Sequence, residues 1–408
     1  MSYKHRGNIC AGIQLLARKN AHARNERNDM NTKYMIVSGF LGSGKTTTMI
    51  AMARAINARF QKEGEPSHVA VIANDLGAKN LVDADYTRTA DVPIDEIAGD
   101  CICYVTEDLV YHINRLADDG ARIVVSDIPG CGVGALNHVY VTLKEDYPGK
   151  FDLLPLVCLV DPMRLRMILP EKADIHLPEE MRFLLNAQLA EADVIVLNKC
   201  DLIDDEEREA DLAFIREAYP DFPVMSISAR TGEGIAELVD YLLSHEANAE
   251  PRDLGTDSEE FDSAEAQMCW YNRRFFAEER SGKNIDFNHV IDDFMEAIRD
   301  GLIEAKRNVP HLKLFAGGEG DDFVKCSIVG IDYDLEFERK LDHDYSGIAI
   351  VVNARATCES ETFGDIVEDA MDAIKAEHNL KCRVIFTECF GFADEGRRNG
   401  GRASRYSD

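Results

Sequence analysis

The chain has 408 residues, enough for two domains that each bury a core. A formal net charge of -29, from 74 acidic against 45 basic residues, argues against nucleic-acid partners, because phosphate backbones are held by surplus Lys and Arg. No apolar run reaches the length of a membrane span, and 11 scattered cysteines in so long a chain read as the reduced thiols of a cytoplasmic protein.

Residues 1–31 are rich in Asn, Arg and Lys and nearly free of acid. They lack the apolar core and small-residue cleavage site of a secretory signal; the composition is compatible with an organellar transit peptide, but they are read as a flexible extension, or as an over-extended start with Met30 as the true initiator. From Tyr34 onward, apolar runs of strand length alternate with helical patterns. The strands are Met35–Ser38, Val69–Ala73, Ile123–Ser126, Leu156–Val160, Val194–Leu197 and Val224–Ile227, and helices are expected over 107–116, 179–192, 206–219 and 235–245. Val/Ile-rich strands with helical crossovers predict an α/β domain over 32–245 with a mostly parallel sheet covered on both faces. Ligands of such sheets lie at the carboxyl ends of the strands.

The first strand runs into Gly39-Phe40-Leu41-Gly42-Ser43-Gly44-Lys45-Thr46-Thr47, and a helical pattern follows. Strand, glycine-rich turn and helix form the phosphate-binding loop of an NTPase. Its backbone N–H groups converge on phosphate oxygens, Lys45 reaches the β and γ phosphates, and the Thr46 hydroxyl is offered to Mg²⁺. Asn74-Asp75-Leu76-Gly77 ends the second strand and makes Asp75 a candidate for Mg²⁺ or for orienting the attacking water. Asp127-Ile128-Pro129-Gly130 ends the third, where an acid bonds Mg²⁺-held water and Gly130 lets backbone approach the γ phosphate. Lys45, Asp75 and Asp127 are thus the candidate catalytic set.

Asn198-Lys199-Cys200-Asp201 follows the fifth strand. A carboxylate there accepts both the ring N–H and the exocyclic amine of guanine, which adenine does not offer, and the Lys199 stem packs on the base. Ser228-Ala229 supplies a loop whose backbone N–H reaches guanine O6. The nucleotide is therefore expected to be GTP or GDP. Cys101-Ile102-Cys103 places two thiols one residue apart, suited to a soft cation with help from Asp100, Glu107, His112, Cys131 or His138; the pair reads equally well as two small buried hydrophobes.

The order of these motifs resembles the metallochaperone GTPases grouped around CobW, UreG and HypB, over about residues 33–245. GFLGSGKTT, the Asn74–Gly77 stretch, the Cys101/Cys103 pair, the acid at 127 and Asn198–Asp201 carry the resemblance. It implies a slow GTPase that binds a transition metal (Zn, Co or Ni) at Cys101 and Cys103 and delivers it, or a metallocofactor, to a client enzyme. Where such proteins have a third motif cysteine this chain has Tyr104, and where they have a glutamate it has Asp127. Two thiols in place of three point to a homodimer that completes the metal sphere, with Cys131 as the preferred extra ligand. A corrinoid protein as client, without stoichiometric metal, is the alternative of the same class; an ATP-dependent kinase or ligase is the alternative of another.

Residues 246–266 are acidic and poor in apolar residues and are read as a linker. Over 267–392 the pattern restarts as strand, helix, two strands, helix and strand, a smaller α+β ferredoxin-like domain in which Val324–Val329 lengthens the second strand or makes an extra hairpin. Cys326, Cys358, Cys382 and Cys389 lack ligand spacing and are read as core residues, while His311 is a candidate for reaching a client or cofactor. Residues 393–408 form an arginine-bearing tail expected to be disordered.

Overall fold

The computed structural model describes residues 31–61, 67–75, 92–98, 101–130, 132–168, 179–255, 268–318, 320, 322–328, 330–331 and 333–391. The expectations for residues 1–30, 256–266 and 393–408, for Gly77, Asp100 and Cys131, and for the side chain of Asp75 lie outside them.

The first sheet contains β1 (Thr32–Gly39), β2 (Val69–Asp75), β3 (Ile94–Ala98), β4 (Ile123–Asp127), β5 (Phe151–Leu153), β6 (Val157–Val160), β7 (Val194–Leu197) and β8 (Val224–Ser226). Their order is β3-β2-β4-β1-β6-β7-β8, with β5 also on β1, and the pairings among the described residues run parallel. The helices are α1 (Lys45–Phe60), α2 (Thr106–Asp118), α3 (Val141–Asp146), α4 (Pro162–Ile168), α5 (Glu179–Glu191), α6 (Asp205–Ala218) and α7 (Ile235–Ser244). Alternate side chains of β1 leave by opposite faces, and both faces are buried. Tyr34 and Ile36 share a core with Leu109, Ile113 and Leu116 of α2, whereas Met35 and Val37 share one with Met49, Met52 and Ile56 of α1 and Leu238 and Leu242 of α7. β1 is central, so the loop that follows it emerges at the middle of the sheet's carboxyl edge.

The second sheet is antiparallel. It comprises β9 (Cys269–Glu279), β10 (His311–Gly317), β11 (Phe323–Ile328), β12 (Glu336–Arg339), β13 (Gly347–Ala356) and β14 (Leu380–Gly391), in the order β12-β11-β10-β13-β9-β14. The run β14-β9-β13-β10 is the ferredoxin-like arrangement, to which β11 and β12 add a hairpin at the β10 edge. Helices α8 (Phe287–Glu304) and α9 (Ser360–Glu377) cover one face, where Phe294, Ile298, Val367 and Met371 pack on Leu312, Leu314, Ile350 and Val352. Asp286 caps α8 by accepting from Asn288 N–H at 2.8 Å. Among the described residues, the opposite face carries no helix.

Two features differ from the sequence expectation. Residues 246–255, read as the start of a linker, are pinned to the first sheet. Leu254 and Ala249 enter its core, and Arg252 donates to Ala190 O and Ala192 O at 3.1 and 2.7 Å. Acidic composition concealed a segment held by a few apolar and basic residues. The sheets also share apolar packing: Met268, Trp270 and Phe390 belong to the same cluster as Leu41, Ile102 and Ile128.

Candidate functional site

At the carboxyl edge of the first sheet lies a cavity of about 390 Å³ lined by Gly42, Gly44, Lys45, Thr46 and Thr47 of the glycine loop, together with Asn74, Asp127 and Gly130. Gly39 and Gly44 take left-handed φ values of 132° and 95°. A methyl group on Gly39 would collide with Leu159 O and one on Gly44 with Asn198 Nδ2, so both positions require glycine. Ser43 N–H donates to Phe40 O at 3.1 Å and closes the turn. The Lys45 ammonium lies across the loop, donating to Gly39 O at 2.7 Å and Phe40 O at 3.3 Å. Thr46, in the first turn of α1, is buried, while Lys45 and Thr47 beside it are half-buried.

One support was missed in the sequence. Arg164, fully buried in α4, donates from Nε to Leu41 O at 3.0 Å and from Nη1 to Asp161 Oδ2 at 2.9 Å. Asp161 follows directly after β6, at the strand edge where ligands bind. An acid at that position with an arginine three residues on was the available signal.

Asn198, Lys199, Asp201 and Ala229 line the far end of the cavity. Asn198 joins two loops, since its Nδ2 donates to Ser43 O at 2.8 Å and its Oδ1 accepts from Ala229 N–H at 3.1 Å. Ser228 Oγ donates to Asp201 Oδ1 at 2.6 Å and fixes that carboxylate. Lys199 turns the chain with φ 64°; burial lowers its ammonium pKa, opposed by Asp161 Oδ2 at 3.7 Å. Gly39, Ser43 and Ser228 shape the wall without lining the cavity.

The acid of β4 is tied to the cysteine pair. Asp127 Oδ1 accepts from Asn74 N–H at 2.8 Å, and the Asn74 side chain accepts from Ile102 N–H at 3.0 Å while donating to Ile97 O at 3.0 Å. Ile102 stands between the thiols. Both cysteines are buried on a tight turn in which Tyr104 N–H donates to Cys101 O at 2.8 Å and Cys103 N–H to Cys101 Sγ at 3.4 Å. The neighbouring Cys101 thiol, and then burial, push the Cys103 thiol well above its ordinary pKa. A methyl group on Gly132 would lie 3.9 Å from Cys101 Sγ, so the pair abuts the loop that follows Asp127. Of the proposed helpers, His112 is engaged elsewhere, with its Nδ1 2.5 Å from Asp95 Oδ2. The His138 ring sits 6.3 Å from that of Tyr104, and Glu107 is exposed.

The cavity is closed from the other side by the second sheet, through His311, Lys313, Lys325, Asn353 and Arg355 among others. His311 had been singled out for reach, but the rest had not. A lysine on an alternating strand looks the same in sequence whether it faces solvent or a cleft.

Residues 33–225 match the model of the CobW/HypB/UreG nucleotide-binding domain. The zinc chaperone YeiR of Escherichia coli (strain K12) is 29% identical over 184 residues, which are 44% of this chain and 50% of YeiR. The chain thus spans about half the length of that curated relative. Among solved structures, HypB from Archaeoglobus fulgidus aligns with 57% of this chain and 98% of its own at 18% identity and a TM-score of 0.35. Zn(II)-bound YjiA GTPase from E. coli aligns with 84% and 99% at 14% identity and a TM-score of 0.33. Residues 33–225 thus resemble the nucleotide-binding domains of the CobW/HypB/UreG family.

Proposed function

We propose that the protein binds GTP and hydrolyses it slowly, and that the state of the nucleotide governs a transition metal held at Cys101 and Cys103 for delivery to a client metalloenzyme. One observation carries the reading: Asn74 is bonded both to Asp127, at the phosphate end of the cavity, and to Ile102, between the two thiols. Gain or loss of a γ phosphate beside Asp127 and Gly130 moves the backbone that bears Asn74, and with it the turn that holds the thiols.

Loop amides, Lys45 and the N-terminus of α1 hold the phosphates. The Thr46 hydroxyl and the Asp127 carboxylate form an oxygen donor set that fits Mg²⁺, which when bound neutralises phosphate charge. Asp75 or Asp127 orients the attacking water, and Asp201, fixed by Ser228, selects guanine. The sulfur pair takes a soft cation as cargo: Zn, Co or Ni. With two thiols in place of three, a homodimer completes its sphere, Cys131 contributing.

The test is elemental analysis of protein purified with GDP and with a GTP analogue, wild type against Cys101→Ser/Cys103→Ser. About one metal per subunit or per dimer, changing with the nucleotide and lost in the variant, is expected. Absence of metal from the wild type in both states would refute the cargo role.

A further inference from the structure

The second sheet does more than abut the cavity. Its helix-free face is polar where it lines the cavity, and alternation along the strands decides which residues point there. On β10, Leu312, Leu314 and Ala316 enter the core beneath α8 and α9, so His311 and Lys313 face the other way. On β13, Val352 and Ala354 enter that core, so Asn353 and Arg355 face the cavity. Register sets His311 opposite Arg355 and Lys313 opposite Asn353, in one polar patch.

Two contacts fix how the sheet lies along the cavity. At the β12 edge, Glu336 Oε1 is 3.8 Å from Arg230 Nη1, and Glu336 and Glu338 bear electrostatically on Lys199, at the end where Asn198 and Asp201 stand. At the other side, Trp270 of β9 and Phe390 of β14 share a core with Leu41 of the glycine loop and Ile128 of the loop after β4. Between β12 and β9 run β11, β10 and β13. The strand order therefore parallels the cavity axis. β11 and β12 overlie its base-selecting end, and Lys313 and Arg355, on β10 and β13, line the cavity between that end and the Trp270 seam.

Lys325 is paired with Glu338 at 2.9 Å on the β12 side, and on the β14 side Glu388 accepts from Asn272 at 3.2 Å, so acids flank the patch at both edges of the sheet. Arg355 is only 3% exposed, in a chain whose net charge is -29. It donates to Ala354 O at 2.8 Å, and its guanidinium stands 5.7 Å from the Trp270 ring centre. Cations drawn into a largely enclosed cleft opposite a phosphate-binding loop fit a polyanion.

We propose that the helix-free face of the C-terminal sheet is the second half of the nucleotide site, with Lys313 and Arg355 contacting the phosphates opposite Lys45. This rests on the nucleotide reading of the cavity. The C-terminal region then senses the nucleotide directly, in the same chain, and the number of phosphates sets how firmly the two sheets are held together.

The full chain is titrated with fluorescent GDP and a fluorescent non-hydrolysable GTP analogue in Mg²⁺. The wild type is compared with Lys313→Gln, Arg355→Gln and Lys45→Ala. Lys313→Gln and Arg355→Gln are each expected to weaken the analogue about tenfold or more and GDP by less, as loss of a charge-assisted hydrogen bond to phosphate does. Arg355 is buried and its variant risks misfolding, so amine labelling read by mass spectrometry supplies a second measure on the wild type. Lys313 is expected to be protected by the GTP analogue and labelled without it. Wild-type affinity in Lys313→Gln together with unprotected Lys313, while Lys45→Ala loses binding, overturns the proposal and leaves the nucleotide site standing. No binding by the wild type overturns both.

Discussion

The side-chain oxygen of Asn74 accepts a hydrogen bond from the backbone N–H of Ile102 at 3.0 Å, so a residue at the end of a central strand holds the turn between two thiols. Asn74→Ala removes that acceptor and the donor to Ile97 O but keeps the backbone bond to Asp127. Nucleotide affinity should stay within about threefold, while the dependence of metal retention on nucleotide state disappears. Parallel measurement of nucleotide affinity and bound metal checks this. Retained coupling in the variant would exclude Asn74 as the link.

Asp201 receives the Ser228 hydroxyl at 2.6 Å, which orients its carboxylate at the Asn198 end of the cavity, where the proposed function has the base selected. Asp201→Asn replaces an acceptor pair by a donor and an acceptor. The preference for GTP over ATP should fall by about 10–100-fold, with xanthosine triphosphate gaining. Competition binding with the three nucleotides decides it.

Glu191, at the end of α5, accepts from Gly134 N–H at 2.9 Å and Leu136 N–H at 3.2 Å, yet its Oε1 has no hydrogen-bond partner among the described residues. Burial lifts its carboxyl from 4.5 to about 7, outweighing those donors. Between these values the folded chain holds a proton that the unfolded chain has released. Stability therefore falls as pH rises through that window, by roughly 3 kcal/mol in all, and the cost is complete above it. Glu191→Gln should flatten the pH profile and raise stability at pH 8, measured by urea unfolding across pH 5–8.

Arg164 and Asp161 form a buried pair at 2.9 Å beneath the glycine loop. Arg164→Met leaves buried Asp161 with only the Lys199 ammonium, 3.7 Å away, as counter-charge and removes the donor to Leu41 O. A loss of about 3–5 kcal/mol is expected, with weaker nucleotide binding, and Asp161→Asn in the same chain should restore part of the stability. Denaturant unfolding of the single and double variants provides the check.

The features readable in the sequence were local. The glycine loop, Asp127 and Asn198–Asp201 each announce themselves within a few residues, and helix ranges such as 206–219, found as Asp205–Ala218, followed from apolar spacing. β3 escaped because Ile94-Asp95-Glu96-Ile97-Ala98 breaks its apolar run with two acids, as an edge strand can. β12, Glu336-Phe337-Glu338-Arg339, has one apolar residue among three charged ones and escaped for a similar reason. The Asn74 bonds and the closure of the cavity by β10 and β13 join residues far apart in the chain, and composition or periodicity carries no signal for such pairings.

The chain has a single tryptophan, Trp270, and the fold has put it at the seam between the two sheets. Its ring lies parallel to Phe390, with centres 5.8 Å apart, and beneath the guanidinium of Arg355. Intrinsic fluorescence of the unlabelled protein is therefore a spectroscopic gauge of that seam alone. A shift in emission maximum, or in quenching by acrylamide, reads the separation of the sheets with no dye attached.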